Sequence, residues 1–293
     1  QGPFQKNKKL FLHYSDLGDA SSINKVIHQI MPDEIYNLAA QSHVAVSFDM
    51  PEYTFDINAN GLVRILESIK SIKNIKKIKL YQASSSELFG YSKTSYQTEK
   101  TPFYPKSPYA TSKLAAYWSV KNYRESYNIF ASNGILFNHE SPRRGETFVT
   151  KKIIKSLCNI KKGSNENLVL GNIYAKRDWG HAKDYVFGMW KILQHKKADD
   201  FVIASGKQYT VKEFINKVLK KLSISYIWKG KGLNEKCYNT KGMLLIRIDK
   251  KYFRPNEVNS LKGKPYKIKN TLNFNVDSNI DNLIIDMIQY EFT

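Results

Sequence analysis

The feature that most restricts the fold of this chain is a regular alternation of strand-like and helix-like segments, with polar residues clustered just after the strands. Leu10–Tyr14 reads as a short strand ending at Ser15–Asp16. Ile23, Val26, Ile27 and Ile30 then repeat at offsets 0, 3, 4 and 7, an amphipathic helix stopped near Pro32. Glu34–Ala40 reads as a buried strand, and Leu62, Ile65, Leu66 and Ile69 as the next helical stripe, ended by a lysine-rich turn. Lys77–Ala83 is again a strand, Tyr109–Asn128 a helix and Ala131–Phe137 a strand. Strands alternating with helices of this length predict an α/β fold, a doubly wound parallel sheet covered on both faces. Ligands of such sheets bind beyond the carboxyl ends of the strands. Ser15–Asp16, Ala39–Ser42, Ser84–Glu87 and Asn138–Arg144 each fall there.

After residue 145 the alternation weakens. A helix near Phe148–Lys162, a strand near Asn167–Leu170, a helix from about Asp184 and a strand at Phe201–Ala204 are expected, the last two returning to the main sheet. Most of the remainder reads as a smaller, irregular region interleaved with the first, with Lys236–Lys241 and Lys262–Lys269 as solvated loops. Hydrophobic residues are 42% of the 293, enough for a sizeable core. No apolar run approaches the roughly 20 residues that span a bilayer, so no membrane partner is expected. Two cysteines, Cys158 and Cys237, exclude a disulfide framework and fit a reducing compartment, hence an expected cytoplasmic location. Gln1–Gly2 reads as a tag remnant without fold information.

The net charge is +20, of which +5 lies in residues 1–150 and +15 in 151–293. Such a balance invites a nucleic-acid reading, but no nucleic-acid-binding motif appears and solvated lysines explain it more simply. A positive field also attracts anionic small molecules. No histidine or cysteine spacing suits a metal, so no metal site is expected.

The strongest local chemical signal is Tyr109-Ala-Thr-Ser-Lys113, which puts both side chains on one face of a helix. An ammonium there lowers the cost of ionising a phenol whose ordinary pKa is about 10, making it a general base. The same pair also arises by chance in a chain rich in Tyr and Lys. Ser84-Ser-Ser-Glu87, just past a strand, offers a hydroxyl and a carboxylate beside it, or simply a serine-rich turn with a solvated glutamate.

Five longer strings go further: Glu34-Ile-Tyr-Asn-Leu-Ala-Ala-Gln-Ser-His43, Tyr81-Gln-Ala-Ser-Ser-Ser-Glu-Leu-Phe-Gly90, Ser107-Pro-Tyr-Ala-Thr-Ser-Lys113, Gly134-Ile-Leu-Phe-Asn-His-Glu-Ser-Pro-Arg-Arg-Gly145 and Ala175-Lys-Arg-Asp-Trp-Gly-His-Ala-Lys-Asp-Tyr-Val186. On these the chain resembles the extended short-chain dehydrogenase/reductase family, of Rossmann-type fold, and within it the GDP-mannose 4,6-dehydratases. The resemblance implies a lyase that holds NADP and converts GDP-D-mannose to GDP-4-dehydro-6-deoxy-D-mannose and water, the first step towards GDP-fucose. It implies Tyr109 as the base at the 4-hydroxyl while C4 gives hydride to the cofactor, and Lys113 as the group that tunes Tyr109 and holds the nicotinamide ribose. Ser85 stands where the family usually has threonine and keeps the hydroxyl. Glu87 would remove the C5 proton and help expel the 6-hydroxyl, because that proton is acidic only beside a C4 ketone.

By the same resemblance, Asp16 and Leu17 would lie near the adenine, and Leu38, Ala39, Ala40, Gln41 and Ser42 along the cofactor phosphates and ribose. Tyr53, His139 and Arg144 would make further cofactor contacts. Asn138, Lys152, Arg177, Arg254 and Glu257 would bind the GDP-sugar, arginine suiting a diphosphate through its fork of donors. Residues 5–145 are expected to form the NADP-binding domain, with 184–205 returning to it, and 146–293 mainly the GDP-sugar-binding region. A homodimer or homotetramer is implied. The family's opening G-x-x-G-x-x-G loop, which cradles the pyrophosphate, does not occur before Asp16. Weak NADP binding and an exposed sheet edge are expected of the sequence as written. Two other readings remain at this stage: another nucleotide-sugar dehydratase or epimerase, against which Glu87 argues, and a catalytically inactive binding protein.

Overall fold

The computed structural model describes residues 9–72 and 78–293. In chain order, α1 (Ala20–Ile30) leads into β1 (Glu34–Asn37), then α2 (Val46–Asp49), α3 (Pro51–Phe55), a π-helical turn at Asp56–Asn60 and α4 (Gly61–Lys70). Next come β2 (Lys79–Ser85), α5 (Pro108–Tyr127), β3 (Phe130–Leu136), β4 (Asn138–Glu140), α6 (Val149–Lys161), β5 (Leu168–Leu170) and β6 (Lys176–His181). The remainder is α7 (Ala182–Gln194), β7 (Phe201–Ile203), β8 (Gln208–Thr210), α8 (Val211–Lys221), β9 (Tyr226–Lys229), β10 (Lys236–Asn239), β11 (Leu244–Ile248), α9 (Tyr266–Leu272) and α10 (Ile280–Phe292).

The main sheet has the order β1-β2-β3-β7 and every pairing is parallel, as the alternation predicts. The return of residues 201–203 to this sheet also matches the expectation. Ile23 and Ile27 of α1 and Leu62, Ile65, Leu66 and Ile69 of α4 pack on one face with Leu80 and Ala131, so the helical stripes are core contacts. At Gly134 a Cβ would lie 1.9 Å from the Tyr81 hydroxyl oxygen, so only glycine lets that ring cross the neighbouring strand.

Three expectations need correction. Leu10–Tyr14 forms no strand: among the described residues it has no ladder partner, and Phe11, Leu12 and Tyr14 are 77%, 72% and fully exposed. Apolar sequence alone does not make a strand, because the backbone groups need a neighbouring ladder. Glu34–Ala40 is a strand only to Asn37 and is half-buried, its last three residues turning into the ligand edge. The part of 146–293 expected to be irregular is not: β9, β10 and β11 join the expected strand β5 in a mixed sheet, β5-β11-β10-β9, and β6 and β8 join β4 of residues 138–140 in a second sheet, β4-β6-β8. Helices α6, α8 and α10 bury a second apolar core against the mixed sheet, with Leu157, Phe214, Ile246 and Ile284 fully inside. Lys236–Lys241 holds β10, in which Cys237 is buried, and Lys262–Lys269 runs into α9. The lysine-rich turn after α4 lies outside the described residues for positions 73–77. Cys158 is buried in α6, and burial pushes its thiol up to about 11, consistent with an inert core residue. Among the described residues no helix is long and apolar enough to cross a membrane.

One polar knot fixes α5 to the sheet. Asp200, buried just before β7, accepts both Nη atoms of Arg124 at 3.0 Å, the Tyr117 hydroxyl at 3.2 Å and the Asn133 Nδ2 at 2.9 Å. Arg124 also donates to the Ala131 carbonyl at 2.9 Å. Removing one partner of a buried bidentate pair leaves an uncompensated charge, at a cost of about 3–5 kcal/mol. Arg124→Met should therefore lower the unfolding free energy by about 3 kcal/mol or more. Denaturant titration checks this, and a loss under about 1 kcal/mol would show that the pair contributes no more than a surface ion pair.

Candidate active site

The carboxyl ends of β1, β2 and β3 open into a cleft of about 1020 Å³, closed opposite by β4, β6 and the loop around Arg254. A smaller hollow of about 400 Å³, lined by Ser15, Asp16, Leu17, Ala39, Ala40, Gln41, Tyr53 and Ile57, adjoins it, with Ala40 in both walls.

At the cleft floor β2 ends in Ser85, whose hydroxyl accepts the Glu87 backbone N–H at 3.2 Å and so caps the turn Ser86–Phe89. Glu87 is thereby fixed just past the strand. Across from it, Ser107 caps α5 by accepting the Ala110 N–H at 3.1 Å, and Pro108 opens the helix. Tyr109 falls in the first turn and Lys113 one turn on. Burial pushes the Tyr109 phenol up; a hydrogen bond with Ser85 lowers it, the Glu87 carboxylate raises it and the Arg144 guanidinium lowers it. Lys113 is almost wholly buried and donates to the Ala83 carbonyl at 3.0 Å, and burial pulls its ammonium down to about 8. The Lys113 ammonium thus turns to a carbonyl, and Arg144 is a cation that acts on the phenol.

Arg144 is itself held. Its Nε lies 3.1 Å from the buried Glu140 carboxylate, an ion pair not aligned for a hydrogen bond; that carboxylate accepts the Thr150 hydroxyl at 2.5 Å, and the guanidinium sits 3.7 Å over the Phe148 ring. His139 keeps a 2.9 Å contact from Nδ1 to the Phe137 carbonyl and stacks on Tyr185; burial holds it below its ordinary pKa and hence neutral.

Opposite lies a charged cluster. Arg177 on β6 is buried, and its Nη1 donates to the carbonyls of Lys176 and Val258 at 3.0 and 2.7 Å. Its Nη2 is 3.6 Å from Glu257 and 3.9 Å from Glu87, while Arg254 Nη1 is 3.7 Å from Glu87. These spacings exceed hydrogen-bond length, and Arg254 Nη1 is buried with no hydrogen-bond partner among the described residues. Lys152 donates to the Val169 carbonyl at 2.8 Å and lies 4.3 Å over the Tyr252 ring, with burial lowering its pKa. The cluster has donors to spare for an anion.

The structure brings the sequence candidates together. Ser85, Glu87, Tyr109, Lys113, Leu38, Ala40, Ser42, His139, Arg144, Asn138, Lys152, Arg177, Arg254 and Glu257 line the large cleft. Asp16, Leu17, Ala39, Gln41 and Tyr53 line the hollow beside it. Two residues escaped sequence reasoning. Asn58 accepts the Gln41 N–H at 2.9 Å and donates at 3.0 Å to both the Gln41 carbonyl and Ser112, tying the β1 loop to α5. It sits in the π-helical turn, which interrupts the 3.6-residue period, so no pattern marked it. His43 lines the cleft, and its Nδ1 accepts the Val46 N–H at 3.3 Å, leaving Nε2–H as its donor; only its place in a matched string hinted at it.

Comparison with known proteins settles the family. The family described as GDP-mannose 4,6 dehydratase matches residues 1–287. The chain belongs to this family. It is 50% identical over 285 residues to the GDP-mannose 4,6 dehydratase of Dictyostelium discoideum, covering 97% of this chain and 80% of that protein. It is 49% identical to the GDP-mannose 4,6 dehydratase of Homo sapiens, covering 98% and 77%, and 48% to that of Vibrio cholerae, covering 98% and 80%. Solved structures agree in fold. RMD from Pseudomonas aeruginosa, complexed with NADPH, superposes with a TM-score of 0.79 at 20% identity, covering 95% of this chain and 87% of that one. Thermus thermophilus UDP-glucose 4-epimerase, in complex with NAD, gives 0.81 at 19%, covering 99% and 88%.

In this dehydratase-family chain the buried Lys113 leaves a signature. With its ammonium at about 8 in the folded state and near 10.4 unfolded, the unfolded state binds more protons between those values. Its contribution to stability therefore rises with pH across that window, by about 2 kcal/mol between pH 7.5 and 9.5. Buried Cys158 and Cys237, whose thiols burial raises, pull the other way, so the gain is read as a difference: in guanidinium unfolding at the two pH values the wild type should gain about 2 kcal/mol on Lys113→Met, and equal pH dependence in both would place the ammonium in water.

Proposed function

We propose that this chain is a lyase that dehydrates GDP-mannose to GDP-4-dehydro-6-deoxy-mannose with NADP as cofactor. The observation that carries the reading is a carboxylate, Glu87, set beside a buried phenol, Tyr109, and facing two arginines with open donors. An epimerase needs no such second base, and an inactive binding protein needs neither. The family and its relatives' names supply the substrate class.

The residues present fit the nicotinamide end of the cofactor. Ser84 Oγ is buried at the end of β2 without a partner among the described residues, and Lys113 keeps donors beyond the one given to Ala83. The hollow holding Asp16 and Tyr53 suits the adenosine end. When bound, the cofactor would accept hydride from sugar C4 and return it to C6 once water has left, so that the reaction is redox-neutral overall. Tyr109 takes the 4-hydroxyl proton, and Ser85 hydrogen-bonds the same oxygen. Glu87 removes the C5 proton, now acidic beside a carbonyl, and passes a proton to the departing 6-hydroxyl, which leaves as water. Arg177, Arg254 and Lys152 grip the diphosphate, with Asn138 and Glu257 orienting the sugar nucleotide. On this reading residues 5–145 and 184–205 serve the cofactor and 146–293 mainly the GDP-sugar. The product is a precursor of GDP-fucose, the enzyme works in the cytoplasm, and it assembles as two or four copies.

Glu87→Gln keeps size and most hydrogen bonds but cannot take a proton. It should still oxidise C4, seen as reduced-cofactor absorbance on mixing with GDP-mannose, while forming no 6-deoxy product. Tyr109→Phe should lose C4 oxidation by at least the ~10² typical of a general base. Wild-type turnover in heavy water should place deuterium at C5. Product release by the glutamine variant at wild-type rate would remove Glu87 from the reaction.

A further inference from the structure

Lys151 and Lys152 stand side by side in the first turn of α6 yet serve opposite sides of it. Lys152 reaches the cleft wall. Lys151 is 4% exposed and does not line the cleft. Its Nζ donates to the Pro142 carbonyl at 2.9 Å, pairs with the Glu291 carboxylate in the last turn of α10 and lies 4.8 Å over the Tyr290 ring. At the far end of α6, Lys162 donates to the Glu291 carbonyl and lies 4.9 Å over the Phe292 ring. The end of α10 is thus bolted to α6 at both ends, and through Lys151 to one further segment.

That segment is the turn Ser141–Arg144, closed by the Arg144 N–H on the Ser141 carbonyl at 3.0 Å. It leads directly into Arg144, whose Nε pairs with Glu140. We infer that Lys151, backed by Glu291, is a positioning residue that fixes the Ser141–Arg144 turn from behind and so sets where Arg144 stands in the wall of the cleft it lines together with Tyr109. A buried ion pair usually adds little over an apolar pair of similar volume, so packing alone does not account for a lysine here. An ammonium with three donors can hold a carboxylate and a carbonyl of two different elements at once, which an apolar side chain cannot. Pro142 has no N–H of its own, so its carbonyl is the group through which the turn can be held at that residue.

The inference rests on the reading of Tyr109 as the base, and the experiment separates the two. Lys151→Met/Glu291→Met removes the latch without leaving an unpaired buried charge, and Lys151→Arg keeps it. In the double variant kcat for GDP-mannose at neutral pH should fall about tenfold, within the ~10²-fold that a 1 Å misplacement costs. KM should stay within about threefold, since Arg177 and Arg254 are untouched. The limb of the pH–rate profile set by Tyr109 should move to higher pH as Arg144 withdraws, and Lys151→Arg should recover both. A wild-type kcat and pH limb in the double variant would overturn the inference. If the double variant does not fold, Lys151→Gln, one bond shorter and so out of reach of the Pro142 carbonyl, is the substitute: it should lower kcat and shift the pH limb in the same direction as the double variant, and a wild-type kcat and pH limb would overturn the inference. A wild type that turns over no GDP-mannose overturns the dehydratase reading instead. The latch is then read from hydrogen exchange at residues 141–148, faster in the double variant if it holds and unchanged if it does not.

Discussion

Asp200 is the constraint on which the rest of this molecule depends. A carboxylate buried beside the sheet takes donors from α5, through Tyr117 and Arg124, and from β3, through Asn133. Apolar contact between a helix and a sheet tolerates sliding, because dispersion is non-directional. A bidentate guanidinium–carboxylate pair does not, since both N–H···O geometries must hold together. The register of α5 along the sheet is thereby set, and with it the height of Tyr109 and Lys113 above the ends of β2 and β3. Asn58 performs the complementary task at the other edge, joining the loop after β1 to Ser112 on the same helix. Catalytic placement in this fold is thus a consequence of two polar ties on one helix.

Within the cleft the balance lies between burial and charge. Burial raises the phenol of Tyr109 and lowers the ammonium of Lys113, so each is pushed towards its neutral form. Arg144 opposes that push on the phenol, and Glu87 reinforces it. Glu87 is in turn flanked by Arg177 and Arg254 at distances too long for hydrogen bonds. An anionic ligand drawing the arginines away would change the field at Glu87 and, through it, at Tyr109. On the proposed reading, substrate binding and the basicity of Tyr109 are coupled through this geometry.

Much of this was legible in the sequence, for physical reasons that differ from residue to residue. The helical stripes of α1 and α4 were readable because their apolar positions repeat at 3.6 residues and pack on one core. The ligand edge was readable because parallel strands all point the same way, so motifs after Asn37, Ser85 and Leu136 had to meet. Leu10–Tyr14 misled because a strand is completed by its neighbour, and none pairs with it among the described residues. Strands β9, β10 and β11 of the mixed sheet stayed hidden because they are only four or five residues long and β9 and β10 each have a lysine at one end. That Lys113 shares a helix face with Tyr109 followed from their spacing, but spacing does not say which acceptor an ammonium faces, and here it faces Ala83.

The excess of positive charge also has a structural account. Lys264 lies between the rings of Tyr96 and Tyr266 at 4.1 and 4.3 Å, and Lys121 against Trp118 at 4.7 Å. Lys106 lies over Tyr91 and Tyr104 at 5.6 and 5.8 Å. In a chain with 19 tyrosines, aromatic faces take up many of the cations that carboxylates are too few to pair. The apolar stems of these lysines cover ring surface while the ammonium stays in water. What remains is a field that draws anions, and its focus is the cleft, where Arg177, Arg254 and Lys152 converge on one wall. Glu87 and Glu257 stand among those cations, which keeps them from closing the cleft on themselves by forming ideal pairs before a diphosphate arrives.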